Sequence, residues 1–286
     1  MIQYTTIQNF NKQFPDDDVC LDYMFKYFYG KDYECPKCHN KKGWYRIQKR
    51  KCYSCGNCGY LLSPLAGTIF HKSPTSLKNW FFAIYLMSTS KNGVAAKEIQ
   101  RQTQVTYKCA WRMQKQIRML MRSNGSNKLD GEIEIDDTYI GGKHEGKRGR
   151  GAEGKSVVFG MVEREGAVKA EVVENLKAKT VMLIIQENVK EKSHIMSDEF
   201  PSYEKVAKYG FDHDIVKHGI KEYVRGNIHV NNMEGFWSQL KRSINGTYHS
   251  VSPQWLQLYI DEFAWRYSHR ASETPLFQLL LSRAVL

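Results

Sequence analysis

The sequence lacks any feature that would carry it into or across a membrane. Its N-terminus, MIQYTTIQNFNKQFPDDD, has no basic region followed by an apolar run, so no secretory leader is expected. The most apolar run, WFFAIYLM at residues 80–87, is too short to span a bilayer. No internal repeat and no low-complexity tract is present, which excludes solenoids and repeat arrays. Acidic residues are scarce: 30 Asp and Glu stand against 42 Lys and Arg, a formal net charge of +12. That excess favours an anionic partner. Nucleic acid is foremost, because cations that meet phosphates release condensed counterions, although a ribosomal or membrane-surface protein would also be basic. With 42% hydrophobic and 13% aromatic residues, the 286-residue chain can build one large domain or two to three smaller ones. A cytoplasmic location without membrane contact is expected, so the seven cysteines need a role other than disulfides.

Four of those cysteines form two C-x-x-C pairs, Cys35 with Cys38 and Cys55 with Cys58. A short basic, strand-like segment, WYRIQKRKCY, joins them. Two such knuckles match a zinc ribbon: four thiolates surround Zn²⁺ tetrahedrally, and a fold with almost no core depends on the metal. A redox C-x-x-C would not come twice. Cys52 is an alternative ligand to Cys55, but its longer spacing suits the turn less well. Cys20 and Cys109 read as ordinary buried thiols.

Residues 16–30, DDDVCLDYMFKYFYG, have helical apolar spacing, acids at the start and Gly at the end, and predict a short helix. From residue 75, SPTSLKNWFFAIYLMSTS, GVAAKEIQRQTQ and VTYKCAWRMQKQIRMLMR read as three helices, with a break near Thr103–Val105. Ala95, Ala96 and Ile99 make one apolar face, which Val105, Ala110, Met113 and Ile117 continue. Two short helices around a tight turn, backed by a third, resemble a helix-turn-helix. Lys108, Arg112, Lys115 and Arg118 would then reach phosphates or bases. The plainer alternative is a helical bundle with a solvated basic face.

SNGSNKLDG, residues 123–131, reads as a linker. Beyond it, strands are expected at 132–136, 156–164, 167–175 and 194–198, with another in DIVKH. Helices are expected at 178–190, in PSYEKVAKYG, at 230–245 and at 253–269. Three antiparallel strands followed by helix, strand and helix suggest a mixed α/β sheet.

In EIEIDD, Ile133 and Ile135 share one face of the strand while Glu132, Glu134 and Asp136 share the other. Asp136 and Asp198 each stand where a strand ends. A lone aspartate in such a place is usually a cap or turn residue, as Asp198 would be before PSYEKVAKYG. In HVNNMEGFWSQLKR, at about 100° per residue, Asn231, Glu234, Ser238 and Lys241 lie on one side of a helix. Two aspartates and a glutamate around one cleft make an all-oxygen site suited to Mg²⁺ or Mn²⁺, able to activate water or a 3′-hydroxyl in phosphoryl transfer. Lys241 would hold a DNA phosphate beside it. The glycine-rich GGKHEGKRGRGAEGK, residues 141–155, carries Lys143, Lys147, Arg148, Arg150 and Lys155. It reads as backbone contact with DNA if it lies beside such a site, and otherwise as a solvated loop.

Taken together, CPKC…CGNCG, AGTIFHKS, LKNWFFAIYLMSTSKNGVAAKEIQ, IDDTYIGGKHEGKRGRG, SDEFPSY, HVNNMEGFWSQLKRSINGTYHSVS and DEFAWRYSHR resemble the ISXO2-like transposases of the IS1595 group over nearly the whole chain. The resemblance implies an RNase H-like catalytic domain, a mixed sheet flanked by helices, preceded by a zinc ribbon and a helix-turn-helix. The implied boundaries are an N-terminal helical segment at 1–31, the ribbon at 32–62, the helix-turn-helix at 73–123 and the catalytic domain at 131–286. The family's first strand usually ends Asp-Glu-Thr-Tyr, so Asp136 matches the catalytic aspartate and Asp137 the following Glu. Asp198 matches the second aspartate. The third position stays open between Glu234 and Asn231, since many members are described with Asn in an H-x-N pattern. Lys241 matches the family's basic residue, and Arg242 follows it toward DNA.

The implied function is cleavage of insertion-sequence ends and joining of 3′-hydroxyls to target DNA. Structural Zn²⁺, catalytic Mg²⁺ or Mn²⁺, double-stranded DNA and a dimer or higher multimer come with it. The alternatives are a silent DNA-binding regulator derived from a transposase, and an RNase H-like nuclease without strand transfer.

Overall fold

The computed structural model describes residues 6–30, 32–41, 43–123, 125, 127–141, 154–217 and 224–284. The chain divides into two units. One comprises Met1–Ser90, Val94–Leu120 and Ser272–Leu286; the other comprises Lys91–Gly93 and Met121–Ala271.

The first unit opens with α1 (Ile7–Gln13) and α2 (Asp17–Tyr29), capped by the side chains of Thr6 and Asp16. A small antiparallel sheet follows: β1 (Trp44–Arg46), β2 (Tyr53–Cys55) and β3 (Leu61–Leu62). Then come α3 (Leu77–Thr89), α4 (Ala96–Thr103) and α5 (Tyr107–Leu120). The α4–α5 turn pivots on Gln104 in the left-handed region, φ 56°. Ile99, Ala110, Met113 and Ile117 are fully buried, which seats both helices on their apolar stripes.

The second unit is built on β4 (Glu132–Gly141), β5 (Lys155–Glu163) and β6 (Val168–Val173), joined antiparallel. Helix α6 (Ala178–Asn188) then crosses to β7 (His194–Asp198), parallel to β4, and β8 (Asp212–Val216) lies parallel to β7. The resulting order, β6-β5-β4-β7-β8, has the first strand central, with the antiparallel strands on one side and the parallel ones on the other. This is the RNase H-like arrangement. Ile133, Ile135, Phe159 and Met161 pack under α6 on one face. On the other face Val158 and Val162 meet α7 (Asn231–Ser243) and α8 (Pro253–Ser268) through Met233, Phe236, Leu240 and Ile260. Gly160 permits this approach: a Cβ there would lie 2.4 Å from Met233 Cε and 2.6 Å from the Trp237 ring.

Two elements differ from the sequence reading. PSYEKVAKYG forms turns and a short 3₁₀ helix at Val206–Tyr209 rather than an α-helix. Its bonds run three residues back, as in Tyr203 N–H to Phe200 O and Val206 N–H to Tyr203 O. That period stacks Tyr203 and Val206 on one side, and both are fully buried. The sequence reading also assigned no helix after residue 269. A last helix, α9 (Leu276–Ser282), belongs to the first unit, where Phe277 packs its ring 5.9 Å from Phe10, 5.6 Å from Phe14 and 6.1 Å from Phe81.

Candidate active site

Strand alternation directs Asp136 toward α7 and Asp137 toward the α6 face. Trp237 Nε1 donates to Asp136 Oδ2 at 3.1 Å. Tyr203 donates its hydroxyl to Asp137 Oδ1 at 2.9 Å. Burial, then the charges of Asp137 and Asp136, keep that phenol well above its usual range, so it remains a donor. The two adjacent aspartates therefore occupy different environments.

Asp136 is the perturbed group. Burial pushes its carboxyl up to about 7, against a backbone hydrogen bond involving Asp137, and the charges of Asp137, Asp198 and Glu234 raise it further. The sheet and α7 thus bring Asp198 and Glu234 within electrostatic reach of Asp136; among the described residues the three carboxylates are not drawn into one cluster as the cysteines are. Asp198, at the end of β7, accepts the Phe200 N–H on Oδ1 at 3.0 Å, so it makes a local turn. Glu234 is exposed in the first turn of α7, and Asn231 is exposed at its start. Lys241 lies further along α7. Burial of its ammonium lowers its pKa, Asp136 and Asp137 oppose that, and Lys155 adds to it.

In the first unit the ligand atoms of Cys35, Cys38, Cys55 and Cys58 all lie within 4.8 Å of one another. The Asn57 side chain and the Asn40 backbone, both hydrogen-bonded to Cys38, pull its thiol down to about 6. A preformed tetrad of thiols with an acidified member fits a tetrahedral metal. Cys52 is not among the four. On α5, Lys108 and Arg112 are exposed and Lys115 is half-buried. The Arg112 guanidinium stands 5.9 Å from the Trp80 ring centroid, and the Lys115 ammonium 5.9 Å from that of Trp111. Arg118, read with them as an outward cation, is 2% exposed and turned into the unit. Lys143, Lys147, Arg148 and Arg150 lie outside the described residues.

Residues 128–268 match the model of the ISXO2-like transposase domain, and residues 15–61 match that of the transposase zinc-ribbon domain of the same IS1595 group. The chain belongs to the IS1595-group transposases. This transposase is 28% identical, over 81% of its own length and 84% of the relative's, to an uncharacterized protein in transposable element ISH50 of Halobacterium salinarum. It is also 28% identical, over 34% of its length and 78% of the relative's, to an uncharacterized transposase-like protein of Haemophilus influenzae. Among solved structures it is similar to the catalytic core domain of BIV integrase, with TM-score 0.33 and 18% identity over 50% of this chain and 85% of that one. A pre-cleavage Mos1 transpososome gives TM-score 0.30 and 11% identity over 68% of this chain and 75% of that one.

Sequence reading did not single out one group beside the transposase's carboxylates. Glu134 shares the face of Asp136 but is fully buried. It accepts the backbone N–H of Asn232 at 2.8 Å and of Met233 at 3.2 Å, and the Asn232 side chain at 2.7 Å. Arg164 donates to it at 2.9 Å, and His229 Nδ1 stands 3.1 Å away. Arg164 also reaches Glu132 at 3.1 Å and the His229 carbonyl at 3.2 Å. A second buried pair, Glu262 with Arg266 at 2.6 Å, lies in α8. The alternation of EIEIDD flagged Glu134 as a face residue, but nothing local distinguished a buried anchor from a site ligand.

Proposed function

We propose that this transposase cleaves the ends of its element and joins the resulting 3′-hydroxyls to target DNA at one site formed by Asp136, Asp198 and Glu234. The observation that carries the reading is the parallel pairing of β4 and β7, with Glu134 beside Met196, which puts Asp136 and Asp198, each two residues further on, at the same end of the sheet, where the charges of Asp198 and Glu234 help to raise the Asp136 carboxyl. Carboxylates that converge there would fit a hard divalent cation. A bound Mg²⁺ or Mn²⁺ would supply Lewis-acid activation of the attacking oxygen and stabilisation of the leaving one.

The chain's own groups do the rest. The Trp237 N–H fixes the orientation of the Asp136 carboxylate. Tyr203 holds Asp137 on the opposite face. Lys241 binds a phosphate of the DNA, and Arg242, exposed beside it, extends that contact. Asn231 and Glu234, three residues apart on one helix, share the third position. Both reactions are attacks on phosphodiesters, so one site serves both and no covalent enzyme intermediate is needed.

End recognition belongs, in this reading, to the first unit: Lys108, Arg112 and Lys115 of the α4–α5 helix-turn-helix, and the ribbon, held by Zn²⁺ on Cys35, Cys38, Cys55 and Cys58. Lys143, Lys147, Arg148 and Arg150 add backbone contacts. Pairing two ends makes the active species a dimer or higher multimer in the cytoplasm.

The test is Mg²⁺-dependent cleavage and joining of element-end DNA by wild type, Asp136→Ala and Asp198→Ala. Both variants should bind the ends and fail to cut. Cleavage persisting in both would overturn the site. An inert wild type that still binds would favour a silent regulator, and cutting without joining a nuclease.

A further inference from the structure

We infer that Glu134 is a positioning residue, fixing the first turn of α7, and with it Glu234, against the strand that carries Asp136. The inference rests on the reading of Asp136, Asp198 and Glu234 as one metal-dependent site.

Helix α7 has no cap of its own. Val230 stands at the capping position and offers no side-chain acceptor. The first N–H groups of a helix lack intrahelical partners, and its N-terminus is the positive end of the macrodipole. Glu134 meets both needs from the sheet. Its Oε2 accepts Asn232 N–H and Met233 N–H, and its Oε1 accepts the Asn232 amide. A fully buried carboxylate is tolerable only when its charge is matched, and Arg164 with His229 close its other side. Arg164 also holds the His229 carbonyl, so the approach to the helix is tied to the same point.

Trp237 and Asp136 form the second attachment. The spacing of the two is matched. From Glu134 to Asp136 a strand advances about 6.6 Å. From Asn232 or Met233 to Trp237 a helix advances about 6–7.5 Å. Helix and strand therefore run side by side in register, with Glu234 between the anchors. A slip of one helical residue, about 1.5 Å along the axis, breaks at least one anchor and carries Glu234 away from Asp136.

Glu134→Gln tests this, because the amide group presents N–H where Glu134 now accepts only. Three measurements apply: amide exchange in residues 231–235, Mn²⁺ affinity by paramagnetic resonance titration, and the Mg²⁺ concentration that half-saturates end cleavage. The folded variant should exchange at least tenfold faster at 231–235, with α8 unchanged. Its Mn²⁺ affinity should fall five- to twentyfold and its half-saturating Mg²⁺ should rise in parallel, with DNA-end affinity retained. Should Glu134→Gln not fold, Asn232→Ala decides. It removes one side-chain bond and should shift the metal readouts two- to fivefold. Unchanged metal readouts in the folded variant overturn the inference. Asp136→Asn separates the two levels: if it binds Mn²⁺ as wild type does, the reading of the site falls and this inference with it.

Discussion

Asp136→Asn should stabilise the second unit in the absence of divalent metal, and by an amount that depends on pH. In the unfolded chain this carboxyl ionises near 3.8; in the folded unit burial and neighbouring charges raise it to about 7. A raised carboxyl binds its proton more tightly when folded. Wild type therefore loses stability as pH climbs from about 4 to 7, and the loss is complete above that. A difference of about three units at about 1.4 kcal/mol each sets a ceiling of about 4 kcal/mol. Asparagine removes the charge but weakens the bond from Trp237 Nε1, a loss of about 1–2 kcal/mol relative to a charged acceptor. The net expectation is a gain of about 2–3 kcal/mol at pH 8 and none at pH 4. Urea denaturation, followed by hydrogen exchange of β4 and β5 peptides, reads this unit alone. The buffer should be free of divalent cations without a chelator, which would strip the ribbon. If Asp136 holds the metal as proposed, saturating Mg²⁺ should then reverse the order, because wild type would gain binding free energy that the variant lacks. Equal gaps at pH 4 and pH 8, or a more stable wild type at pH 8 without metal, would refute the electrostatic reasoning.

Gly160→Ala puts a methyl group against the Trp237 ring, so it should destabilise the unit by about 1–3 kcal/mol and slow end cleavage; unchanged urea midpoints would show that α7 can shift freely. Arg266→Ala leaves Glu262 buried without its cation and should cost about 3–5 kcal/mol. Glu262→Gln combined with Arg266→Met should recover much of that loss in the same denaturation series. Removing zinc, or Cys55→Ser, should abolish protection of β1 and β2 in hydrogen exchange while the five-stranded sheet keeps its own, with metal content measured in parallel.

Features whose signal is local were legible in the chain. The C-x-x-C pairs declare a tetrad because ligand spacing is set by a few bonds, and the four sulfurs do meet. The period-2 pattern of EIEIDD sorts Ile133 and Ile135 from Glu132, Glu134 and Asp136 whatever the strand's neighbours. Other features have no local signal. Arg118 and Arg112 look alike on a helical wheel, and only packing turned the first inward. The 3₁₀ turn at Val206–Tyr209 has no such signal either, because Tyr203 and Val206, buried in a core made elsewhere, would share a face in an α-helix too.

The sequence by itself determined the family, the ribbon and the acids that share a strand face, since each follows from side-chain chemistry at short spacing. Only tertiary structure decided what surrounds those acids. Glu134 and Asp136 are two residues apart on one face. One is sealed onto the first turn of a helix 98 residues away, and the other stands where the charges of Asp198 and Glu234 reach it. That division comes from how α7 lies along β4, which no stretch of sequence contains.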